Sequence, residues 1–149
     1  MEFQIKQINR NKKQYLELLL IGDEQESMID SYLGDGDMFV LFLNDLAVGV
    51  CVVTKESDRM VEIRNIAVLP DFRRMGLGSA MLEFVDCRYA EQDIQLGTGE
   101  TPSTLKFYKS AGYRYSHRIK NFFTLNYDHS IIEEGVLLKD MIYLKKERQ

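Results

Sequence analysis

Three apolar segments that follow one another across short polar turns constrain the fold of this chain most strongly. Met38–Leu43 is continuously apolar, Asn44-Asp45 is a two-residue turn candidate, and Leu46–Val53 runs back from it. After the polar stretch TKESDR, a third strand of the same meander is expected over 60–69. Strands joined by so few residues pair antiparallel, because a parallel connection needs a dozen residues or more. The sequence therefore predicts an antiparallel meander.

Weaker signals before the meander predict one strand and two helices. Phe3–Ile8 alternates weakly and has the pattern of a strand. Asn11 is suited to cap a first helix. A second helix is expected to begin near Asp23 or Glu24 and to end at Gly34, since glycine commonly terminates helices.

After the meander, helices and strands alternate. The segment that begins at Leu77 has an apolar stripe at helical spacing, and Asp93–Leu96 is a short strand that Gly97-Thr98-Gly99 is expected to break. Thr101 and Pro102 fit the cap and the first position of a further helix. That helix is expected to end before Ala111-Gly112.

The last third of the chain gives weaker signals. The aromatic segment 122–127 is compatible with a strand or a buried loop, and Gly135–Leu144 predicts a final strand. The order β-α-α-β-β-β-α-β-α, followed by more strand, predicts an α+β (mixed α/β) fold. A length of 149 residues fits a single domain spanning 1–149.

Composition excludes several functional classes. The formal net charge of −4 disfavours nucleic-acid binding, which usually needs a basic face. No cysteine spacing indicates a metal site, and we expect Cys51 and Cys87 to be buried or half-buried free thiols in a reducing compartment. The start of the sequence lacks the apolar core of a signal peptide, and no apolar run could span a bilayer, so we expect a cytoplasmic protein without a membrane partner.

The stretch RRMGLGSA, Arg73–Ala80, indicates an anion site where a strand meets a helix. A helix N-terminus exposes free N–H groups, glycine lets a phosphate approach the backbone, and arginine adds forked donors. The alternative is a tight turn whose glycines only allow close packing. Neither a Walker-A pattern nor a complete G-x-G-x-x-G is present.

This stretch also resembles the coenzyme A motif of the GNAT acetyltransferase superfamily, [Q/R]-x-x-G-x-[G/A], which here is RRMGLG. A second segment, Thr101–Tyr113, resembles the family helix in which a tyrosine is followed by glycine and an aromatic residue. The matching residues are Tyr108, Gly112 and Tyr113. Both motifs occur in the family order, and the resemblance covers 3–115.

The resemblance implies a central mixed, mostly antiparallel twisted sheet with helices on both faces and a splay between the fourth and fifth strands. It also implies that acetyl-CoA is the cofactor, with pantetheine lying in the splay. Thr101 stands where many members have asparagine, and Thr104 where alanine is common. The implied cofactor-binding residues are Ala67, Val68, Arg73, Arg74, Met75, Gly76, Leu77, Gly78, Ser79, Thr101, Thr104 and Tyr108.

The same resemblance suggests roles in the chemistry. The backbone N–H near Val68 would face the thioester oxygen as an oxyanion donor. Tyr108 would protonate the leaving thiolate, whose conjugate acid has a pKa of ~8.5 against ~10 for tyrosine. Glu62 is the candidate general base, although Arg64 shares its face of the strand and could simply pair with it. Tyr108 could alternatively be a core residue, and His117 and His129 could titrate near neutrality.

The leading interpretation is an acetyl-CoA-dependent N-acetyltransferase that acts on a primary amine, of a small molecule or a protein, by direct attack. The alternatives are a non-catalytic acyl-CoA-binding regulatory module and a different nucleotide-phosphate enzyme. The acceptor cannot be inferred from these residues, and the aromatic cluster 122–129 could line its pocket or belong to the core. An apolar final strand could pair across a homodimer.

Overall fold

A computed structural model describes residues 2–148 as a seven-stranded sheet and a small two-stranded hairpin. The order in the large sheet is β1-β2-β3-β4-β5-β9-β6, in which only the β4–β5 pair is parallel. The strands are β1 Gln4–Ile8, β2 Asp37–Leu43, β3 Leu46–Lys55, β4 Met60–Val68, β5 Asp93–Gly99, β6 Arg114–Ile119, β7 Ile132–Glu133, β8 Val136–Leu137 and β9 Met141–Lys146. The helices are α1 Leu16–Gly22, α2 Glu26–Leu33, α3 Leu77–Arg88, α4 Pro102–Ser110 and α5 Phe122–Asn126.

The antiparallel meander is present where the sequence predicts it. β2 and β3 are joined by Asn44 and Asp45, both at positive φ (49° and 68°). Asparagine and aspartate tolerate this conformation, and the resulting turn matches the twist of the paired strands. The α+β class and the order of elements up to α4 are therefore confirmed.

Helices cover both faces of the sheet, as the resemblance implies. Helices α1 and α2 contribute Leu19 and Ile29, both fully buried, to a core against one face of β2–β4. Helices α3 and α4 cover the other face, where Met81 and Tyr108 belong to a second core. Each helix buries its apolar stripe against alternate residues of the same strands, so the sheet separates two cores.

The splay between the fourth and fifth strands is also present. β4 and β5 pair from Met60↔Asp93 to Ile63↔Leu96, and beyond that point the ladder ends although both strands continue. Just there, the register of β4 against β3 shifts and Arg64 is left unmatched, which is the arrangement of a β-bulge. A bulge bends its strand, and this one coincides with the point where β4 leaves β5.

Four expectations for the second half of the chain were wrong. Gly97-Thr98-Gly99 does not break β5, because all three residues pair with β9. The segment 122–127 is mostly helix α5, in which Phe123 is buried. Gly135–Leu144 is divided between hairpin strand β8 and strand β9, and an additional strand, β6, precedes α5. Cys51 is buried, but Cys87 is exposed on α3.

The final strand has no free edge for a partner molecule. β9 lies between β5 and β6 and is paired with both. The route to a homodimer suggested by its apolar character is therefore occupied within the chain, and dimerisation itself stays a prediction. Across residues 2–148, no helix combines the length and apolarity that crossing a membrane would require.

We predict that Gly99→Ala destabilises the fold. A Cβ at Gly99 would lie 2.6 Å from Cδ1 of the buried Leu138, so the side chain must shift. Overpacking of this kind costs ~1–3 kcal/mol, measurable as a lower midpoint in urea unfolding.

Gly34→Ala is the control for Gly99→Ala. Gly34 ends α2 in right-handed geometry (φ −61°), and a Cβ there meets no atom within 4 Å. This variant should be unchanged or more stable by up to ~1 kcal/mol. Equal midpoints for the two variants would contradict the packing of Leu138 on β5.

Candidate active site

A cleft of about 960 Å³ opens where β4 and β5 separate. The ends of both strands form its floor, and the first turn of α3 and one side of α4 form one wall. The opposite wall comes from the end of α1 and from the segment between α5 and β9. Because the facing strand edges lack ladder partners beyond Ile63 and Leu96, their backbone groups can bind an extended, amide-containing ligand.

The cleft brings together most of the residues expected to bind the cofactor. Three predicted residues, Met75, Thr101 and the candidate base Glu62, are not on its wall. The predicted residues that line it are Ala67, Val68, Arg73, Arg74, Gly76, Leu77, Gly78, Ser79, Thr104 and Tyr108.

The two glycines of the Arg-rich turn differ in their roles. Gly76 is the N-cap of α3 at φ 78°, and a Cβ there would meet no protein atom within 4 Å. No side chain caps this helix end, so its first N–H groups are open to an anion. At Gly78 a Cβ would lie 3.2 Å from Cζ of Phe107, so this glycine allows α3 to approach α4. The surroundings of Gly76 are thus open, as the anion-site interpretation requires, whereas Gly78 allows close packing, as the alternative interpretation requires.

The arginines lie at the mouth of the cleft. Arg73 and Arg74 are exposed, and Nε of Arg73 donates to the carbonyl oxygen of Val68 at 3.2 Å. The positive charge of the turn therefore lies directly beside the free end of β4. Arg74 adopts φ 64°, which turns the chain into α3.

The start of α4 is held by two threonines. Thr101 is fully buried, and its hydroxyl donates to the hydroxyl of Thr104 at 2.8 Å, while Pro102 occupies the first turn. Thr101 thus takes the predicted cap position, but its side chain makes no capping bond to the backbone. Thr104 is the one of the pair that reaches the cleft wall.

Tyr108 is a buried phenol on the wall. Only 8% of the residue is exposed, and its ring makes edge contacts with Phe107 and Tyr113 at centroid distances of 5.1 and 6.0 Å. Burial raises the pKa of Tyr108 well above its ordinary value, with a smaller contribution from Cys51. The phenol is therefore neutral at physiological pH and can donate a proton or a hydrogen bond.

Glu62 is buried beside the splay and has several partners. Its carboxylate accepts hydrogen bonds from Nε2 of Gln95 at 2.7 Å and from the hydroxyl of Tyr143 at 3.2 Å. Arg64 lies 3.5 Å away, as the shared face of β4 predicts. Burial and the charge of Glu62 raise the pKa of Tyr143 to about 12, so that phenol remains a donor.

These features agree with comparisons to known proteins. The family model described as an acetyltransferase (GNAT) domain matches residues 34–115.

This chain belongs to the GNAT family of N-acetyltransferases.

Individual relatives extend the match beyond those residues. YvbK of Bacillus subtilis, an uncharacterised N-acetyltransferase, is 31% identical over 132 residues, which are 86% of this chain and 85% of that protein. A GNAT acetyltransferase from Elizabethkingia anophelis, solved with acetyl-CoA bound, has a TM-score of 0.91 at 30% identity, over 97% of each chain. An acetyltransferase from B. subtilis in complex with CoA has a TM-score of 0.89 at 28% identity, over 99% of this chain and 100% of that one. The predicted family and fold are confirmed.

One wall of the GNAT cleft consists of acidic residues that sequence reasoning missed. They are Asp23 and Glu24, after α1, and Glu133 and Glu134, on the hairpin β7–β8. Asp23 is 9% exposed and accepts hydrogen bonds from the hydroxyls of Tyr32, at 3.0 Å, and Tyr127, at 2.6 Å. The bond from Tyr127 spans 104 residues, and no local pattern could have indicated it.

The aromatic cluster 122–129 contributes both to a small core and to the cleft wall, and its contact with an acceptor stays a prediction. Phe123 packs in a small core with Ile131 and Leu138, and it also lines the cleft with Tyr127. Their rings stack at 5.6 Å with an interplanar angle of 29°. His129 lies outside the stack and pairs with Asp128, which raises its pKa. His117 lies on β6, before the cluster, and its ring stacks on the ring of Tyr143 at a centroid distance of 4.6 Å.

We predict that Gly76→Ala weakens acetyl-CoA binding. The added methyl group would project into the open space at the start of α3, and a positive φ costs an L-residue ~1 kcal/mol. The Kd for acetyl-CoA, measured by isothermal titration, should rise about tenfold, equivalent to ~1.4 kcal/mol.

Gly135→Ala is the matched control, because Gly135 has φ 75° and equally open surroundings but lies in the β7–β8 turn. It should lose similar stability and keep the wild-type Kd. If both variants bound acetyl-CoA equally well, the helix start would not be the anion site.

Proposed function

We propose that the protein transfers an acetyl group from acetyl-CoA to the nitrogen of a primary amine by direct attack. The observation that carries this proposal is the opening between β4 and β5, which lies in the same cleft as the uncapped start of α3. Acetyl-CoA is the cosubstrate, and it supplies the activated acetyl thioester. The nitrogen adds to the thioester carbonyl carbon and the carbonyl oxygen becomes negative; the carbon–sulfur bond then breaks as the carbonyl re-forms. The nitrogen gives up one proton to a base, and the sulfur leaves as a thiolate that takes up a proton.

The residues around the opening supply groups that would bind the charged parts of acetyl-CoA. The first N–H groups of α3 and the guanidinium groups of Arg73 and Arg74 would hold the diphosphate. Pantetheine would then lie along the free edge of β4, which shares its other edge with β3 through Gly49↔Val68. Displacing the Arg73 side chain from the carbonyl of Val68 would open that edge for an amide donor.

The end of β4 would stabilise the developing charge. The N–H near Val68 is our proposed donor to the thioester oxygen, because it lies at the end of the strand and on the cleft wall. A backbone donor fixed by its sheet pays little reorganisation cost when the oxygen becomes negative. The β3–β4 ladder holds this end of β4 in place, and just beyond it the N–H of Leu69 donates to the carbonyl oxygen of Val48 at 2.8 Å.

Tyr108 is our proposed partner for the leaving sulfur. Tyr108 lines the cleft, and its raised pKa keeps the phenol protonated. A phenol with a raised pKa is a weak acid towards a thiolate, so donation of a hydrogen bond to the sulfur is favoured over early proton transfer.

We predict that Tyr108→Phe lowers kcat about 10²-fold, since loss of a single positioned hydrogen-bond donor to developing negative charge costs at least about this much. The expected measurement is acceptor-dependent release of free thiol, with the Kd for acetyl-CoA within about threefold of wild type. Loss of the hydroxyl should leave the packing of the ring on Phe107 and Tyr113 intact.

Tyr113→Phe is the control for Tyr108→Phe. Tyr113 is fully buried, and its hydroxyl makes no hydrogen bond within residues 2–148. Its removal should not change kcat and should preserve or raise stability. A Tyr108→Phe enzyme with wild-type kcat would remove Tyr108 from the chemistry. CoA binding without thiol release from any amine would instead favour the regulatory-module alternative.

Glu62 remains our proposed general base, acting through a water because it is not on the cleft wall. Glu62→Gln should lower kcat/KM about 10²-fold at neutral pH. The deficit should shrink as pH rises towards the pKa of an alkylamine, ~10, because more acceptor is then already deprotonated.

A pH profile of Glu62→Gln separates this role from a structural one. If Glu62 only anchors Arg64, Gln95 and Tyr143, the variant should unfold at a lower temperature but keep the wild-type pH profile. The latter result would contradict the assignment of the base.

A further inference from the structure

The acidic wall of the cleft, composed of Asp23, Glu24, Glu133 and Glu134, carries a further inference. We propose that the acceptor is an alkylamine with a second protonated amino group, and that this wall binds its positive charges. The inference rests on the proposed function, since it names the substrate class of the same cleft. It depends on the charges of this wall, on an unpartnered buried oxygen and on the adjacent aromatic rings.

The elements that carry the arginines and the first two carboxylates of the cleft pack on opposite faces of the sheet. Arg73 and Arg74 lead into α3, which packs on one face of the sheet. Asp23 and Glu24 follow α1, which packs on the other face. A coenzyme diphosphate at the start of α3 would use Arg73 and Arg74. Arg64, the third arginine on the cleft wall, already pairs with Glu56 and Glu62, so it leaves the four carboxylates available to the acceptor.

The carboxylates of the acidic wall have little cationic compensation. Asp23 is bound by two neutral phenols, and no cationic side chain of residues 2–148 forms an ion pair with it. Oε1 of Glu24 lies 3.8 Å from Nε2 of His129. The same imidazole is closer to Asp128, whose Oδ1 lies 2.6 Å from Nδ1, so Glu24 shares this histidine with a nearer carboxylate. Glu134 is hydrogen-bonded to the hydroxyl of Ser103.

The pKa of Glu133 reflects the neighbouring negative charges. Partial desolvation raises the pKa of its carboxyl group, and Glu24 and Glu134 raise it further, whereas Arg73 lowers it. A group in this situation gains from a cation that enters the cleft, because the cation relieves repulsion among three carboxylates at once.

An independent observation indicates that a hydrogen-bond donor is missing beside this wall. Asn65 is 3% exposed and lines the cleft, and its Nδ2 donates to the carbonyl of Leu19 at 2.9 Å and the hydroxyl of Tyr32 at 3.1 Å. Its Oδ1 accepts no hydrogen bond from residues 2–148. That oxygen faces Gly22, which also lines the cleft. A Cβ added at Gly22 would lie only 2.1 Å from Oδ1 of Asn65.

The direction of the neighbouring hydrogen bonds defines what is missing. The Tyr32 hydroxyl accepts from Asn65 and donates to Asp23, so its proton cannot satisfy Oδ1 of Asn65. Asp23 is itself an acceptor. A buried oxygen in such surroundings is stabilised by an N–H donor, and an ammonium group supplies both that donor and the positive charge.

The aromatic rings beside the acidic wall suit an alkylammonium chain. Phe123 and Tyr127 both line the cleft, and the hydroxyl of Tyr127 also donates a hydrogen bond to the carboxylate of Asp23. Ring faces attract cations and pack against methylene groups, so a short carbon chain between two amino groups matches this surface. A single ammonium would leave most of the four carboxylates uncompensated, which favours a dication.

The test compares 1,4-diaminobutane with n-butylamine, which has the same carbon number and one charge fewer. Free-thiol release gives kcat/KM for each amine, and calorimetry of the CoA-saturated protein gives binding without turnover. We expect diaminobutane to be preferred at least tenfold by wild type. The double variant Glu24→Gln/Glu133→Gln should reduce the preference to about threefold or less, because each exposed pair contributes up to about fivefold.

Asp58→Asn is the control for loss of a carboxylate away from the cleft, since Asp58 lies in the β3–β4 turn, with its side chain 98% exposed, and pairs only with Lys55 among residues 2–148. It should keep the wild-type preference. Equal use of the two amines, or a preference that survives in the double variant, would overturn the inference while leaving acetyl transfer intact.

Calorimetry distinguishes the remaining outcomes. If no amine released thiol but diaminobutane bound the CoA complex and lost affinity in the double variant, the cation site would stand and the proposed transfer would fall. If diaminobutane neither bound the CoA complex nor released thiol, the proposed cation site would be contradicted, and thiol release with n-butylamine would decide the proposed transfer separately.

Discussion

The separation of β4 from β5 is the constraint on which the whole site depends. Two neighbouring parallel strands normally satisfy each other's backbone groups along their length. Here the ladder stops at Ile63↔Leu96, at the residue before the bulge at Arg64. Each strand keeps its outer neighbour, β3 or β9, so the gap is held open by two rigid ladders. The unpaired edges are thus built into the sheet itself.

The helices add opposite chemistry to the two sides of this gap. On the side of α3, an uncapped N-terminus and two arginines favour a polyanion. On the side of α1, the chain of hydrogen bonds from Asn65 through Tyr32 to Asp23 ends in a carboxylate that Tyr127 also binds. This network joins the N-terminal helices to the C-terminal segment. A ligand that bridges the gap would therefore meet a positive and then a negative environment.

Local signals were sufficient for part of this arrangement. The apolar meander, the Asn44-Asp45 turn and the Arg-Gly turn before α3 each follow from short-range chemistry, and two motifs identified the family. The error at Gly97-Thr98-Gly99 has a physical cause: β9 pairs with all three residues, and the ladder outweighs glycine's poor intrinsic strand preference. Likewise, Met141 occupies the space that a Cβ at Gly97 would need.

The acidic wall was beyond sequence reasoning for a different reason. Asp23 had the pattern of a helix start, whereas in the fold it ends α1 and faces Tyr127 across 104 residues. Glu133 and Glu134 belong to a hairpin of only two paired positions, too short to give a periodic signal. Tyr108, by contrast, was identified only through the family motif, because its spacing alone is that of a core residue.

The place of β9 in the sheet has a consequence for biosynthesis. During synthesis, β1 to β5 emerge well before Met141–Lys146, so β5 is at first an unprotected sheet edge beside an open gap. Exposed edges recruit other strands, including those of neighbouring nascent chains. Only after Met141–Lys146 has itself left the ribosome can β9 insert, bury that edge and give the gap its second firm side.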